Sequence, residues 1–325
     1  MRVNNNLPAN LVRNGNLIQP LTTRAKDYVS NSKAANTRKA YRCDWACFTS
    51  FCESAGLNPL PALPETIALY ITYLADQKGY KVSTISRRIA SISQAHQMAK
   101  YESPTKEAIV QNTMAGIKRE KGVSTKEAAP IFTDDLRRMV AALPESLLGI
   151  RDRALLLLGF AGAFRRSELV SLNVSDVEET PEGLLVHLRK SKTDQEGKGQ
   201  LKAICYGSNP VTCPVRALKA WLEASSITEG PLFRAIDRHG NIQQGKLSGE
   251  AVSLIIKRAA EAAGMDPANY SGHSLRAGFC TTAAKNGESS RAIMNQTGHK
   301  SEAMVARYIR HGSAFIDNAV VSLGL

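Results

Sequence analysis

Acidic residues, paired cysteines and long apolar runs are all scarce in this chain of 325 residues. The six cysteines include no Cys-x-x-Cys pair, and the closest set, Cys43, Cys47 and Cys52, has no histidine nearby to complete a zinc site. With no signal peptide ahead of them they point to a reducing cytoplasm and to small apolar positions on a helix, so neither metal nor cofactor is expected. The longest apolar run, Ala154 to Phe164, falls far short of the roughly 20 residues that a bilayer helix requires. It contains glycine and predicts a buried core helix, with no membrane partner. Acids number 29 against 42 Lys+Arg, for a formal charge of +13. The excess is uneven: 18 basic against 9 acidic residues in 1–129, and 24 against 20 in 130–325. Such a balance is the footprint of a polyanion binder, but it would suit a ribosomal protein or a membrane-surface binder equally well.

The length suggests two domains, each able to bury its own core. Residues 1–30 are polar, lack sustained periodicity and are expected to form a mobile arm. A helical domain is expected over 31–117. Its first helix begins with Asn36 or Thr37 as cap and places Tyr41, Trp45, Phe48 and Cys52 on one face, with Arg38, Lys39 and Arg42 beside it. A second opens at Pro64 and Glu65 and buries Ile67, Tyr70, Ile71 and Leu74. A third, from near Ser83, buries Ile85, Ile89 and Ile92 and projects Arg87, Ser91 and Gln94 from the opposite side. That polar face has the chemistry to read base edges in a major groove, and a plain solvated face is the alternative. Residues 118–129 carry no apolar period and form the expected linker; their basic residues, Lys118, Arg119 and Lys121 among them, suit a phosphate backbone. The second domain, 130–325, is expected to open with Thr133 capping a helix from Asp134 to Leu143. Alternation over Leu184–Arg189 and Leu201–Tyr206 predicts two strands, joined by a polar hairpin loop over 193–200 with Lys192 at its mouth.

Seven residues of this second half carry the chemistry. Arg165 and Glu168 follow the apolar run, Lys192 lies at the hairpin, His273 and Arg276 stand three apart, and His299 precedes Tyr308 by nine positions. Taken singly, each has an ordinary explanation: a surface ion pair, a solvated lysine, a turn histidine, a half-buried tyrosine. Together they are suited to phosphoryl transfer. Arginines neutralise the non-bridging oxygens of a phosphodiester, a lysine can protonate the departing alkoxide, a histidine can take or place a proton, and a tyrosine can form a covalent phosphoester. Tyr270, near His273, is the competing nucleophile.

In identity and order these residues resemble the active site of the tyrosine recombinases, or phage-type integrases. The N-terminal helical region, the linker and the short tail are similar to the Cre-like subgroup, so the resemblance covers nearly the whole chain. It implies a mostly helical protein with a small antiparallel sheet: a helical core-binding bundle and an α+β catalytic domain forming a clamp around DNA. It implies Tyr308 as nucleophile, Arg165, Arg276 and His299 on the phosphate, Lys192 as acid, His273 as proton acceptor and Glu168 as buttress. It further implies inverted-repeat DNA sites, a homotetramer acting through a Holliday junction, and a protomer-exchange helix near 313–325. A type IB topoisomerase-like enzyme and a non-catalytic DNA-binding protein of the same fold are the alternatives.

Overall fold

The computed structural model describes residues 15–123, 128–189, 199–313 and 323, and the chain divides into two units, Met1–Lys126 and Glu127–Leu325. It is mostly helical with a small antiparallel sheet.

Among the described residues the first unit holds five α-helices: α1 (Gly15–Asn31), α2 (Ala35–Ser54), α3 (Pro64–Asp76), α4 (Val82–Met98) and α5 (Ala108–Lys121). Apolar residues at helical spacing build its core: Phe48 and Cys52 of α2, Ile67, Tyr70, Ile71 and Leu74 of α3, Ile85 and Ile92 of α4, Val110, Met114 and Ile117 of α5. Each large side chain buried in this way contributes about 1.5–3 kcal/mol. The phenol of buried Tyr70 accepts from Arg88 Nη1 at 2.8 Å, and burial pushes its pKa up to about 12.

Several expected boundaries need correction. Residues 15–31, expected to belong to an aperiodic arm, form a helix; its period is hard to see because Leu21, Tyr28 and Val29 are exposed instead of forming one buried stripe. Helix α5 runs on through Lys118, Arg119 and Lys121, since Ile117 continues the stripe begun by Val110 and Met114, and cations suit a helix C-terminus. Those three residues are therefore helical and exposed, not linker. Ala34, not Asn36 or Thr37, takes the N-cap position of α2, and Phe132, not Thr133, takes that of the next helix. Of the cysteines on α2, Cys52 is buried and Cys43 is exposed.

The second unit contains α6 (Thr133–Ala141), α7 (Leu147–Ala161), α8 (Arg166–Leu169), α9 (Pro214–Ser225), α10 (Gly249–Ala262), α11 (Ser274–Lys285), α12 (Ser290–Thr297) and α13 (Glu302–Ser313). Its sheet is β1 (Val177–Thr180), β2 (Gly183–Leu188) and β3 (Gln200–Cys205), antiparallel in that order. A two-stranded ribbon pairs β4 (Arg234–Ile236) with β5 (Ile242–Lys246). As the apolar run from Ala154 predicts, α7 is buried along most of its length, surrounded by α9, α10, α11 and the sheet, with Trp221, Phe233 and Ile256 fully enclosed. Gly278 lets α11 press against the segment entering the domain: a Cβ there would lie 1.9 Å from Ile131 O. Among the described residues no helix is long and apolar enough to cross a membrane.

Candidate active site

The site grows from the C-terminal end of α7. A helix leaves its last carbonyls without donors of its own. Here the carbonyl of its last residue, Ala161, and those of Gly162 and Ala163 just beyond it are taken by side chains from three other elements. Gln296 Nε2 donates to Ala161 O at 2.8 Å, Lys202 Nζ to Gly162 O at 2.7 Å, and Arg276 Nη1 to Ala163 O at 2.7 Å. Two of the three donors are cations, which the negative end of the helix dipole favours. Ala163 is held at φ +46°, a left-handed conformation that costs a residue bearing a Cβ about 1–2 kcal/mol. The turn sends Phe164 into the core and leaves Arg165 at the N-cap position of α8.

Arg165 and Glu168 close on each other twice. The Arg165 amide donates to Glu168 Oε2 at 2.9 Å, and its guanidinium Nη1 to Oε1 at 2.6 Å. Their side chains are 12% and 3% exposed, so this is a buried pair and not the surface ion pair that the spacing alone would allow.

Arg276, on the first turn of α11, is buried and bridges two segments: Nη1 reaches Ala163 O, and Nη2 lies 3.0 Å from His299 Nε2. His299 follows Gly298, whose left-handed φ of +70° ends α12 and turns the chain. Burial, then the charges of Arg276, Arg165, Arg307 and Lys202, lower the His299 pKa from 6.5 to about 4, so the imidazole is neutral. Its ring stacks with that of Tyr308 on α13, with centroids 6.1 Å apart and planes inclined by 28°. The Tyr308 hydroxyl accepts from Arg307 Nη2 at 2.9 Å, and its ring packs on the cluster of Cys280, Ala284, Ile293 and Val305.

The structure thus brings Arg165, Glu168, Arg276, His299 and Tyr308 to one place. His273 does not share the buried side of Arg276. It stands exposed at the N-cap position of α11, with its amide donating to Ser271 Oγ. Lys192, most of the hairpin loop and the tail helix near 313–325 lie outside the described residues. Tyr270 turns its hydroxyl to the Met265 sulfur, 3.6 Å away. Sequence reasoning missed Lys202, Gln296 and Arg307. A lysine on the buried side of a strand was the available signal for the first of them.

In the N-terminal unit, Lys26, Lys33, Arg38, Arg42, Ser91 and Gln94 help to line a cleft of about 760 Å³. Arg38, Lys39 and Arg42 are exposed. The expected projection needs revision at Ser91, which is buried, whereas Arg87 is exposed and Gln94 half-buried. Arg87 is ion-paired to buried Asp44, Gln94 accepts from Lys33, and Ser91 is buried with its hydroxyl on Arg88 O at 2.8 Å. Ser91 is therefore a packing residue.

A basic, tyrosine-bearing site of this make-up on an α+β domain defines a class of phosphoryl-transfer enzyme. Residues 131–314 match the phage integrase family. Over 304 residues, 92% of this chain and 89% of the relative, the protein is 44% identical to an integrase/recombinase XerD homologue of Selenomonas ruminantium. It is 26% identical to the recombinase Cre of Escherichia phage P1 over 82% of this chain and 80% of that one. In fold it resembles the Tn1549 transposon integrase solved with transposon right end DNA, at a TM-score of 0.64 and 13% identity, covering 94% of this chain and 96% of that one. The chain belongs to the phage integrase family: it is a tyrosine site-specific recombinase.

Proposed function

We propose that the protein binds duplex DNA at inverted-repeat sites, closes its two units around it, and exchanges strands through Tyr308. The Tyr308 oxygen bonds to the scissile phosphorus as the bond to the 5′ oxygen breaks, giving a 3′-phosphotyrosyl enzyme and a 5′-hydroxyl. The phenol proton passes to His273, and Lys192 supplies a proton to the leaving oxygen. Arg165 and Arg276 hold the non-bridging oxygens, His299 adds a hydrogen bond, and Glu168 keeps Arg165 in place. The phosphotyrosine conserves bond energy, so religation by the freed hydroxyl requires no cofactor. Four protomers on two sites would then resolve a Holliday junction in the cytoplasm. Arg38, Lys39, Arg42, Lys118, Arg119 and Lys121 are assigned to the phosphate backbone, and Arg87 and Gln94 to the groove.

The observation that carries this reading is the junction of Arg276, His299 and Tyr308, a buried cation and a neutral imidazole against the one tyrosine they share. The test is incubation with a supercoiled plasmid carrying two copies of a site selected from genomic DNA. Recombinant products are expected. Relaxation alone would favour the topoisomerase-like reading, and retardation alone a non-catalytic binder. Lys192→Ala should be slow on ordinary DNA and recover when sulfur replaces the scissile 5′-bridging oxygen, because a thiolate leaves without protonation.

A further inference from the structure

Lys202 occupies a position where β3 calls for an apolar residue. It pairs with Val186 across the sheet, on the buried face shared by Leu184, Leu188 and Ile204, and is 1% exposed. An ammonium group in such a place persists only where acceptors replace its water. Three do: Gly162 O at 2.7 Å, Gln296 O, and the face of Phe164, whose centroid lies 4.9 Å away. The first acceptor belongs to the turn that delivers Arg165, and the second lies three residues before His299. Other contacts repeat the stitch. Gln296 Nε2 donates to Ala161 O and, at 3.1 Å, to Ala203 O, while Gln200 Nε2 donates to Asn295 O at 3.1 Å.

We propose that Lys202 is a positioning residue, whose ammonium holds the arginine-bearing and histidine-bearing turns at one spacing and so sets the geometry around the scissile phosphate without touching it. The inference rests on the assignment of Arg165, His299 and Tyr308 to one site. Committed to two carbonyls and closed off from solvent, Lys202 is not placed to protonate a leaving group. The charged and titratable groups around it are Glu168 of α8, Arg165 before it, Arg276 and Cys280 of α11, and His299 after α12. Burial is the main cause that brings its pKa down from 10.5 to about 7; Glu168 opposes the shift, and Arg276 and Arg165 add to it. Three ammonium hydrogens match three acceptors, whereas a neutral amine has two and adds a lone pair. The tie is therefore complete below that pH and loosens as the pH rises through it.

The test uses full-length protein on duplexes carrying the selected site, and reads the single-turnover rate of phosphotyrosyl formation between about pH 6 and 9, bracketing the lowered lysine. Lys202→Met is expected to bind a half-site as the wild type does, yet form adduct about 10- to 100-fold more slowly, the scale of a small misplacement at a reacting centre. Lys202→Arg keeps charge and donors at every pH, so it should restore most of the rate and lose the decline above pH 7 expected of the wild type. Substituting sulfur at the 5′-bridging position should leave the Lys202→Met defect unchanged. A wild-type rate in Lys202→Met, the same decline in Lys202→Arg, or rescue by sulfur overturns the proposal. If Lys202→Met does not fold, the profile of Lys202→Arg decides. Tyr308→Phe run in parallel separates the two levels: adduct in that variant removes the site assignment itself, whereas its absence beside an unimpaired Lys202→Met removes only the role of Lys202.

Discussion

Arg276 Nη2 stands 3.0 Å from Nε2 of His299, and that contact fixes the imidazole tautomer. The other ring nitrogen, Nδ1, lies 2.8 Å from Thr297 Oγ1, and this hydroxyl donates to Ile293 O at 2.7 Å. Thr297 must then accept from Nδ1–H, leaving the Nε2 lone pair to accept from Arg276. A phosphate oxygen that draws Arg276 towards itself frees Nε2, which must gain a proton before it can donate to the phosphate.

The neutral ring has a consequence for acid stability. The His299 pKa lies at about 4 in the folded protein, against an ordinary 6.5. Between those values the unfolded chain binds the extra proton, so the stability contributed by the neutral ring is present above 6.5 and is lost as the pH falls towards 4. His299→Gln removes this ionisation. Urea melts should show the wild type losing stability relative to His299→Gln from pH 7 down to 4. A constant difference across that window would contradict the neutral assignment.

Glu168→Gln tests the buried pair. The amide can still accept from the Arg165 backbone, but the carboxylate charge facing Arg165, Arg276 and Lys202 is gone. Breaking such a pair costs on the order of 3–5 kcal/mol. A reduced urea midpoint with unchanged slope is expected, along with slower adduct formation because Arg165 loses its anchor. Wild-type stability would place the pair nearer to solvent than its exposure indicates.

On the helix proposed to face DNA, the outcomes should differ between neighbours. Arg87→Ala is expected to weaken binding to the selected site by about 1–3 kcal/mol while sparing unrelated duplex, the signature of a bidentate base contact. Ser91→Ala should leave affinity unaltered, since the hydroxyl is spent on Arg88 O. Fluorescence anisotropy on both duplexes, at fixed salt, measures this. An equal loss on both duplexes for Arg87→Ala makes it a backbone contact, and a loss specific to Ser91→Ala would show that the face opens on binding.

How much of this was legible in the sequence depended on whether local pattern or distant partners decided the outcome. The buried stripe of α3, the enclosed α7 and the strands β2 and β3 follow from period alone. The order of Arg165, Glu168, Arg276, His299 and Tyr308 was legible as chemistry. What local pattern could not show was which charges go inside. Lys202 is buried because carbonyls from residues 162 and 296 meet it there, and Ser91 because α2 packs over α4. Asp44 carries a further signal: an acid one helical turn before Phe48, on the same buried stripe, implies a cation beside it, supplied by buried Arg88 and by the more exposed Arg87.

The central claim is that Tyr308 carries the DNA. The most direct test is to trap the SDS-resistant complex formed on a duplex nicked next to the selected site, digest it with trypsin and nuclease, and sequence the nucleotide-bearing peptide by mass spectrometry. The account predicts a 3′-nucleotide esterified to Tyr308 in wild-type protein and no adduct in Tyr308→Phe, which retains DNA affinity. A modified Tyr270, or an adduct persisting in Tyr308→Phe, would contradict it.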